Sequence, residues 1–158
     1  MTRNELFELL DSKGIHYEIT EHVPVYTIDE MIEAKLPHPE VIAKNLFIRD
    51  DKKRNYYLIT VKEDRTVNLK EFHEKYETRK LSFASENDLM AILGLTKGAV
   101  TPFGLLNDEE RKVQFFIDEE FTSGMIGIHP LENTATVWLD GADLLELIKE
   151  HGNSITVM

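Results

Sequence analysis

The chain has 158 residues and a mass of 18.3 kDa, the size of a single domain with a substantial core. Its 18 basic and 29 acidic residues give a net charge of −11, which argues against a general nucleic-acid binder, because nonspecific affinity comes mainly from neutralising phosphates. The chain has no cysteine, which excludes a disulfide framework, a thiolate zinc site and a cysteine nucleophile.

The N-terminal part alternates helix and strand signals. Thr2 and Glu5 form a capping box that predicts a first helix. Alternating apolar and polar side chains over residues 15–20 predict a half-buried strand. A second capping box, formed by Thr27 and Glu30, predicts another helix. The chain is therefore expected to open as helix, strand and helix.

The middle of the chain predicts a β-hairpin followed by a helix. Two runs rich in β-forming residues, Asn45 to Arg49 and Tyr56 to Val61, flank the polar segment 50–55, which is typical of a hairpin loop. Asn68 suits the start of the helix that follows. A short strand is expected after it, at residues 81–83.

The C-terminal part predicts two further helices and three strands. Ser85 is suited to cap a helix that runs through Leu93. The strands are expected at residues 113–118, 125–128 and 134–139, and the final helix at 142–151. We therefore predict one α+β domain over residues 1–158, with a mixed β-sheet surrounded by helices.

Basic residues are concentrated in the middle of the chain. Residues 44–80 carry 11 basic and 7 acidic side chains, whereas residues 81–158 carry 4 and 13. If RNA is bound, the basic stretch is the expected contact, with Lys52, Lys53 and Arg54 of the hairpin loop as its most basic cluster. A lysine-rich hairpin and helix that are merely solvated explain the same charge without RNA.

Several familiar sites and signals are missing from the sequence. Neither of the glycine motifs that bind nucleotide phosphates occurs, so no nucleotide cofactor is expected. A metal-dependent hydrolase using His22, His38 and His129 has no recognisable ligand spacing, so no metal is expected either. The N-terminus does not match a signal peptide, and no segment approaches the ~18 apolar residues of a membrane span. These features predict a cytoplasmic protein.

Three segments carry residues that an ordinary scaffold does not need. Lys44 and Asn45 lie at the start of a predicted apolar strand. Residues 94–104 hold three of the chain's eight glycines, and such a loop exposes backbone N–H groups to a ligand. Residues 127–136 place His129 and a polar cluster at a turn between two strands. Together they indicate a small-molecule or ester-hydrolysis pocket, although a solvated lysine, a tight connection and a capped turn would explain each segment alone.

In order and spacing, three motifs of this chain resemble the YbaK/ProX family of aminoacyl-tRNA editing domains. They are Lys44-Asn45-Leu46-Phe47, the segment from Gly98 to Asp108 and the segment from His129 to Val137. The resemblance covers essentially the whole chain. It implies the family's fold and a deacylase that removes a wrongly attached amino acid from the 3′ end of a tRNA.

The resemblance also implies roles for individual residues. Lys44 matches the family's indispensable lysine, which would contact either the 3′-terminal phosphate or the ester carbonyl, and His129 would shape the amino-acid pocket or orient the water. Backbone N–H groups of residues 98–101 are candidates for the oxyanion site. The positions expected to bind substrate are Asn45, Phe47, Gly98, Val100, Thr101, Gly104, Asn133 and Thr134.

Within the family the chain resembles the ProX branch, free-standing domains that remove alanine from tRNA for proline beside prolyl-tRNA synthetase. The YbaK branch, associated with cysteinyl-tRNA for proline, typically shows a Gly-Gly-x-Ser-Pro loop, where this chain has Gly98-Ala99-Val100-Thr101-Pro102. The expected substrate is therefore alanyl-tRNA(Pro), bound by its acceptor end and hydrolysed in trans. Two alternatives stay open: a cysteinyl-tRNA(Pro) deacylase, and a module that binds aminoacyl-tRNA or an amino acid without turnover.

Overall fold

Helices are interspersed with strands along the chain, and the structure, a computed structural model, describes residues 1–158 apart from the side chain of Ile28. The helices are α1 (Arg3–Ser12), α2 (Ile28–Glu33), α3 (Leu69–Tyr76), α4 (Glu86–Asp88, continued by a π-helical turn over Leu89–Leu93) and α5 (Gly141–His151). The strands are β1 (Tyr17–Glu21), β2 (Ala43–Asp50), β3 (Tyr56–Lys62), β4 (Leu81–Phe83), β5 (Val113–Ile117), β6 (Met125–Ile128), β7 (Ala135–Asp140) and β8 (Ile155–Val157). Short 3-10 turns cover Pro39–Val41, Pro102–Asn107 and Glu119–Phe121.

The strands form two sheets that meet at one point. The first is antiparallel, with the order β1-β7-β6. The second has the order β4-β2-β3-β5-β8, in which β4, β2 and β3 are antiparallel while β3, β5 and β8 run parallel. A parallel bridge between Ile42 and Gly127 joins the start of β2 to β6. The predicted α+β class with a mixed sheet is confirmed, and the antiparallel sheet adds a layer that local periodicity does not reveal.

The main hydrophobic core joins the two sheets. It combines Leu58 and Phe115 of the mixed sheet with Val137 of the antiparallel sheet, all fully buried. Leu6 and Leu10, from the apolar face of α1, complete this core. Because full burial of a large apolar side chain contributes roughly 1.5–3 kcal/mol, this cluster stabilises the arrangement of the sheets on which the site depends.

A second cluster covers the opposite face of the mixed sheet. Tyr57 and Ile59 of β3 point into it, and Phe72 of α3 packs over them. Leu58, between them in the chain, points to the main core. Burial of both faces explains why β3 is a nearly continuous apolar run rather than an alternating one.

Helix ends follow the sequence signals closely at three of the predicted helices. Thr2 and Glu5 form the reciprocal capping box expected at α1. Asn68 caps α3 through bonds to two N–H groups, and Ser85 caps α4. The π-helical turn after α4 ends at Gly94, whose φ of +66° is the left-handed conformation that glycine adopts readily.

The structure differs from the predicted elements in two places. At α2, Thr27 accepts the expected bond from the Glu30 N–H (3.1 Å), but the Glu30 carboxylate bonds the Tyr26 N–H (3.2 Å) instead of completing the capping box. Strand β8 is not among the predicted elements, because three residues are too few to display a period. It forms only because β5 offers a parallel edge for pairing.

Candidate active site

The bridge between the two sheets brings the first and third sequence motifs together. Ile42 and Gly127 pair in parallel, so the residues two positions later on each segment, Lys44 and His129, lie at the same junction. Glycine is required there, because a Cβ on Gly127 would lie 2.7 Å from the indole nitrogen of Trp138. The fold thus explains why a lysine and a histidine from different sheets face one cavity.

A cavity of about 570 Å³ lies at this junction. Five predicted site residues line it, namely Lys44, Asn45, Gly98, Val100 and His129. The remaining walls come from Val25, Tyr26, Ala43 and Lys97, which sequence reasoning missed. For Lys97 the signal was its place inside the glycine loop, whereas nothing in the sequence around Tyr26 indicates a site.

The ammonium group of Lys44 is anchored at one side of the cavity. It donates a hydrogen bond to the main-chain carbonyl of Arg65, which leaves two of its three N–H groups for a ligand. Burial raises the pKa of the nearby Glu63 carboxyl, and the positive charge of Lys44 opposes this rise. Lys44 is therefore a held cation in the cavity rather than a freely moving surface lysine.

Asn45 is held in one orientation by its partner on β3. Its Oδ1 accepts a 2.6 Å hydrogen bond from the hydroxyl of Thr60, which lies opposite it in the strand register and is fully buried. Because the amide oxygen is engaged, the Nδ2 group is what Asn45 presents to the cavity. A donor of this kind suits an oxygen of the substrate and not an ammonium group.

The glycine loop approaches the cavity with its backbone. Gly98 has a φ of +92°, and a Cβ there would lie 2.6 Å from a ring carbon of Tyr26. The N–H of Ala99 is used within the loop, donating to the carbonyl of Thr96 at 3.1 Å. Of the predicted N–H donors, those of Gly98 and Val100 therefore belong to residues that line the cavity and are the better candidates for an oxyanion site.

Two predicted residues of this loop, Thr101 and Gly104, are buried and do not line the cavity. Thr101 is fully buried, and its hydroxyl has no hydrogen-bond partner among the described residues. Gly104 is also buried, and a Cβ there would lie 2.6 Å from a methyl carbon of Leu95. Their burial indicates a structural role in the loop, and direct contact with substrate stays a prediction for both residues.

His129 faces the cavity as a neutral imidazole. Its Nδ1 lies 2.9 Å from the main-chain oxygen of Ala135, so Nδ1 carries the proton and Nε2 keeps a lone pair. Burial lowers the pKa of His129, the bond to Ala135 opposes this, and the neighbouring His22, with its ring 6.1 Å away, lowers the pKa further. At neutral pH the histidine therefore offers the cavity a hydrogen-bond acceptor.

The turn after β6 supports the outer wall of the cavity. Asn133 donates through Nδ2 to the carbonyl of Val25 at 3.2 Å, and the carbonyl of Thr134 accepts the N–H of His22 at 2.9 Å. The His22 ring is fixed in turn by the hydroxyl of Thr136, 2.8 Å from Nε2. These bonds give Asn133 and Thr134 a structural role, and their contact with substrate stays a prediction.

A second cavity, of about 480 Å³, adjoins the first. The two share Asn45, Lys97 and Val100 as walls. Phe47 lines this second cavity, with its ring stacked on that of Tyr56 at 5.7 Å. Phe47 therefore lies beside the Lys44 cavity and not in its wall.

The residues predicted to contact RNA lie at the far end of β2. Lys52, Lys53 and Arg54 are exposed in the loop between β2 and β3, where the Asp50 carboxylate accepts the N–H of Arg54 at 2.9 Å. The stretch of β2 from Lys44 to this loop spans roughly 20 Å at ~3.4 Å per residue. The structure does not bring the loop to the cavity, so a contact there would involve another part of the tRNA.

The three histidines of the metal alternative do not form a cluster. His38 packs edge-on against Trp138 at 6.1 Å, whereas His129 lines the cavity and the ring of His22 lies behind it, 6.1 Å from the His129 ring. Within the described residues, no group of three or more His, Asp or Glu side chains is placed to hold a metal ion.

None of the helices that the structure describes is long and apolar enough to cross a membrane.

Comparison with known proteins gives a consistent result. Residues 22–147, which include all three motifs and the whole cavity lining, match the family model of the aminoacyl-tRNA editing domain. The prolyl-tRNA editing protein ProX of Acetoanaerobium sticklandii is 44% identical over 146 residues, covering 92% of this chain and 89% of the relative. The prolyl-tRNA synthetase associated domain-containing protein 1 of Danio rerio is 37% identical over 151 residues, covering 94% and 82%.

A solved structure shows the same fold. The crystal structure of a protein described as a candidate trans-editing enzyme for prolyl-tRNA synthetase matches with a TM-score of 0.71 at 19% identity. The match covers 98% of this chain and 94% of the other. At this identity the likeness extends to the fold alone.

Proposed function

The chain belongs to the aminoacyl-tRNA editing domain family, and on this premise we propose that it hydrolyses the ester between tRNA(Pro) and a wrongly attached alanine. The observation that carries the proposal is the convergence of the Lys44 ammonium, the backbone at Gly98 and the neutral imidazole of His129 on one cavity. A cation, backbone donors and a proton acceptor are the groups that ester hydrolysis needs around its carbonyl.

Stabilisation of the tetrahedral intermediate falls to the lysine and the loop. As water adds to the carbonyl carbon, negative charge develops on the carbonyl oxygen, and in this proposal it is stabilised by Lys44 and by the N–H groups of Gly98 and Val100, which line the same cavity. Loss of a single donor of this kind typically lowers kcat by about 10²–10³-fold. The ester C–O bond then breaks, and the 3′-oxygen of the ribose leaves with a proton from the water.

Orientation of the water and the ribose falls to the two remaining side chains. The Nε2 lone pair of His129 accepts a hydrogen bond from the attacking water or from the neighbouring ribose hydroxyl. The Nδ2 group of Asn45, held by Thr60, donates to a ribose or carbonyl oxygen. These contacts fix the reacting atoms close to their reacting geometry, which is a large share of catalysis in a step with little covalent chemistry from the protein.

The choice of tRNA(Pro) and of alanine rests on the relatives and the loop sequence. Relatives that cover most of this chain are named for prolyl-tRNA editing and for association with prolyl-tRNA synthetase. The Gly98 to Pro102 loop departs from the pattern of the cysteine-removing branch. We infer that the protein acts in the cytoplasm, in trans to prolyl-tRNA synthetase, on tRNA that the synthetase has released.

The deciding experiment is a deacylation assay on a panel of charged tRNAs. Purified protein is given Ala-tRNA(Pro), Cys-tRNA(Pro), Pro-tRNA(Pro) and Ala-tRNA(Ala), and release of the amino acid is followed over many turnovers. We expect multiple turnover on Ala-tRNA(Pro). Release from Cys-tRNA(Pro) alone would favour the cysteine alternative, and tight binding without release would favour a binding module.

A chelation arm tests the metal alternative in the same assay. We expect the rate to survive prolonged treatment with EDTA, because the groups placed around the carbonyl are an ammonium, backbone N–H groups and an imidazole. Loss of activity on chelation, with recovery on adding zinc, would contradict this mechanism and favour a metal-dependent hydrolase.

A further inference from the structure

The second cavity is an apolar groove with one exposed aromatic ring. Its apolar walls are Leu46, Phe47, Phe83, Ala84, Leu89 and Val100. The side chain of Phe83 is 62% exposed although it is large and apolar. The groove runs beside the first part of β2, because β4 pairs with residues 48–50 and one more bond, from the Ala84 N–H to the Phe47 carbonyl at 3.0 Å, ends this pairing, so the residues before Phe47 have no strand on that side. A flat apolar ligand therefore has a ring to stack on and a strand edge beside it.

The groove is continuous with the catalytic cavity. Asn45, Lys97 and Val100 belong to both, so a molecule held at Lys44 extends into the groove past these three residues. In an aminoacyl-tRNA the ester is attached to the ribose of the terminal adenosine, so the adenine lies one sugar away from the reacting carbonyl. The alanyl methyl group is far smaller than the groove, whose volume of about 480 Å³ is in the range of small-molecule sites.

On the basis of the proposed function, we propose that this groove binds the terminal adenine of the tRNA by stacking it on Phe83. Lys97, exposed at the boundary of the two cavities, pairs with the phosphate on the 5′ side of that nucleotide. Glu86 at the opposite wall accepts a hydrogen bond from the exocyclic amine of adenine. Base stacking on an aromatic side chain contributes enough to measure, about 1–3 kcal/mol per base by alanine substitution.

Tyr26 is the rival platform, and it defines the alternative outcome. Tyr26 is 66% exposed and lines the catalytic cavity, where its ring lies against Gly98 and not in the groove. An adenine stacked there would leave the groove without a ligand. Comparison of Phe83→Ala with Tyr26→Ala therefore shows which of the two rings the adenine stacks on.

The first test is steady-state deacylation of Ala-tRNA(Pro) by variants at Phe83. We expect Phe83→Ala to raise KM about tenfold with little change in kcat, because stacking far from the carbonyl binds ground state and transition state equally. Phe83→Trp keeps a stacking surface and restores KM. Met90→Ala is the matched control, since Met90 is another apolar residue, 51% exposed, from the segment after α4 and does not line the groove.

The second test measures binding without turnover. Adenosine 5′-monophosphate is titrated into the protein and followed by NMR chemical shifts, with cytidine 5′-monophosphate as the comparison. We expect the adenine nucleotide to bind more tightly and Phe83→Ala to weaken it about tenfold. Equal binding of both nucleotides, with no effect of Phe83→Ala, would overturn the adenine assignment.

The outcomes separate this inference from the proposed function. If the wild-type protein deacylates Ala-tRNA(Pro) while Phe83→Ala leaves KM unchanged, the groove is not the adenine site and the proposed function stands. A rise of KM in Tyr26→Ala alone would likewise overturn the assignment. If the wild-type protein deacylates no aminoacyl-tRNA, the proposed function fails, and the inference fails with it.

The main-chain carbonyl that accepts the hydrogen bond from Lys44 belongs to Arg65, whose side chain is held by ion pairs. The Arg65 guanidinium lies in an ion pair with Asp118, Nε to Oδ2 at 3.1 Å, and Asp118 is only 3% exposed. A second contact joins Arg65 to Glu120 at 3.2 Å, and the turn is closed by the Arg65 N–H donating to the carbonyl of Lys62 at 3.0 Å. A buried charge thus holds the turn whose carbonyl holds the catalytic ammonium.

From this chain of contacts we infer that Asp118 is a positioning residue for Lys44. Asp118→Asn is the sharpest variant, since asparagine keeps an oxygen for the Glu120 N–H (3.0 Å) but loses the charge that fixes Arg65. We expect kcat to fall about tenfold with KM unchanged, because a misplaced ammonium is lost from the transition state. Glu119→Gln, a neighbouring exposed acid, is the control.

The result is tested in a second background. In Lys44→Arg, whose cation already misses the native geometry, Asp118→Asn is expected to lower kcat by much less than tenfold, since residues that act as a unit are not additive. An equal loss in both backgrounds would make Asp118 merely structural. A rise in KM at constant kcat would mean that Arg65 binds RNA instead, and it would overturn the inference.

Discussion

The hydroxyl of Thr60 donates a 2.6 Å hydrogen bond to Oδ1 of Asn45, and this contact decides which end of the amide meets the substrate. We expect Thr60→Val to lower kcat/KM about fivefold, because the amide loses its orientation when a bond worth about 1 kcal/mol is removed. Steady-state deacylation of Ala-tRNA(Pro) measures the change.

Thr60→Ser is the matched control for that variant. It keeps the hydroxyl and removes one buried methyl group, so it should retain the rate while losing about 1 kcal/mol of stability. The opposite pattern, a normal rate in Thr60→Val and a slow Thr60→Ser, would show that packing at this position matters and the hydrogen bond does not.

Lys44→Ala is expected to abolish deacylation with little loss of stability. Lys44 lines the cavity, where we propose that its ammonium stabilises the transition state, and it is not part of the hydrophobic core. Loss of such a group typically costs about 10²–10³-fold in kcat. Single-turnover hydrolysis and thermal unfolding are measured together, with Lys149→Ala, an exposed lysine of α5, as control. Full activity in a folded Lys44→Ala protein would contradict the proposed site.

The pH dependence of the reaction should report the neutral state of His129. Burial lowers its pKa, so protonation, and the loss of the Nε2 acceptor, occurs below the ordinary histidine value of 6.5. We expect kcat/KM to stay level down to that pH and to fall only at lower values. His129→Gln keeps a hydrogen-bonding side chain without this titration and should lack the acid limb. A limb above pH 6.5 that persists in His129→Gln would assign the titration to another group.

The lowered pKa of His129 also makes the free energy of unfolding depend on pH. In the unfolded chain the imidazole takes up a proton as the pH falls below 6.5, while in the folded chain it resists until a lower pH. The unfolded state then binds more protons, so this residue's contribution to stability declines as the pH falls through that window. Urea unfolding of the wild type and of His129→Gln at both ends of the window checks the sign.

Reversal of the hairpin charges tests the predicted RNA contact. Changing Lys52, Lys53 and Arg54 to glutamate should weaken tRNA binding and flatten its salt dependence, because fewer counterions are released from the phosphates. Hydrolysis of a minimal substrate, 3′-alanyl-adenosine, should be unchanged, since the loop lies roughly 20 Å along β2 from Lys44 at ~3.4 Å per residue. An unchanged affinity and salt slope would place the RNA on another surface.

The sequence predicts those residues of the candidate site whose chemical type suits a site and which also belong to one of the three motifs. Lys44, His129 and Gly98 are residues whose types and motifs indicate a site, and the structure places all three at one cavity. Tyr26 escaped prediction because an aromatic residue beside a short helix resembles a packing residue until the loop that it touches is known. Asp118 escaped because its link to Lys44 passes through a backbone carbonyl, which leaves no trace in residue type.

The fold, too, has features that local sequence signals predict and features that depend on distant partners. Caps such as Thr2 and the strand periods are local, so the helices and most strands were predicted within a few residues. The split into two sheets depends on long-range pairing, for example of β1 with β7, and on the single bridge between Ile42 and Gly127. No local pattern records these partners, although the bridge is what brings Lys44 and His129 to one cavity.

The last prediction concerns the amino acid that the site accepts. A synthetase that binds proline cannot strongly exclude a smaller apolar side chain, because missing methylene groups are worth only about 1–3 kcal/mol. A second site that excludes proline by size then protects the correct product. Val100 is one of the three residues that line both the Lys44 cavity and its neighbour, and His129 lines the Lys44 cavity as well. We therefore expect hydrolysis of Ala-tRNA(Pro) to be much faster than hydrolysis of Pro-tRNA(Pro).

Val100→Ala tests this wall, because it removes two methyl groups without touching Lys44 or His129. The variant should hydrolyse Pro-tRNA(Pro) at least about tenfold faster than the wild type does, since about 1–3 kcal/mol of steric exclusion is relieved. Its rate on Ala-tRNA(Pro) should change little. Val23→Ala is the control, as Val23 is 75% exposed and lies outside the cavity lining. His129→Ala enlarges the site as well, but it also removes the Nε2 hydrogen-bond acceptor. This variant should therefore hydrolyse a wider range of aminoacyl-tRNAs at a lower rate. Similar wild-type rates for alanyl- and prolyl-tRNA(Pro), or cleavage of cysteinyl-tRNA(Pro) alone, would refute alanine editing by size exclusion.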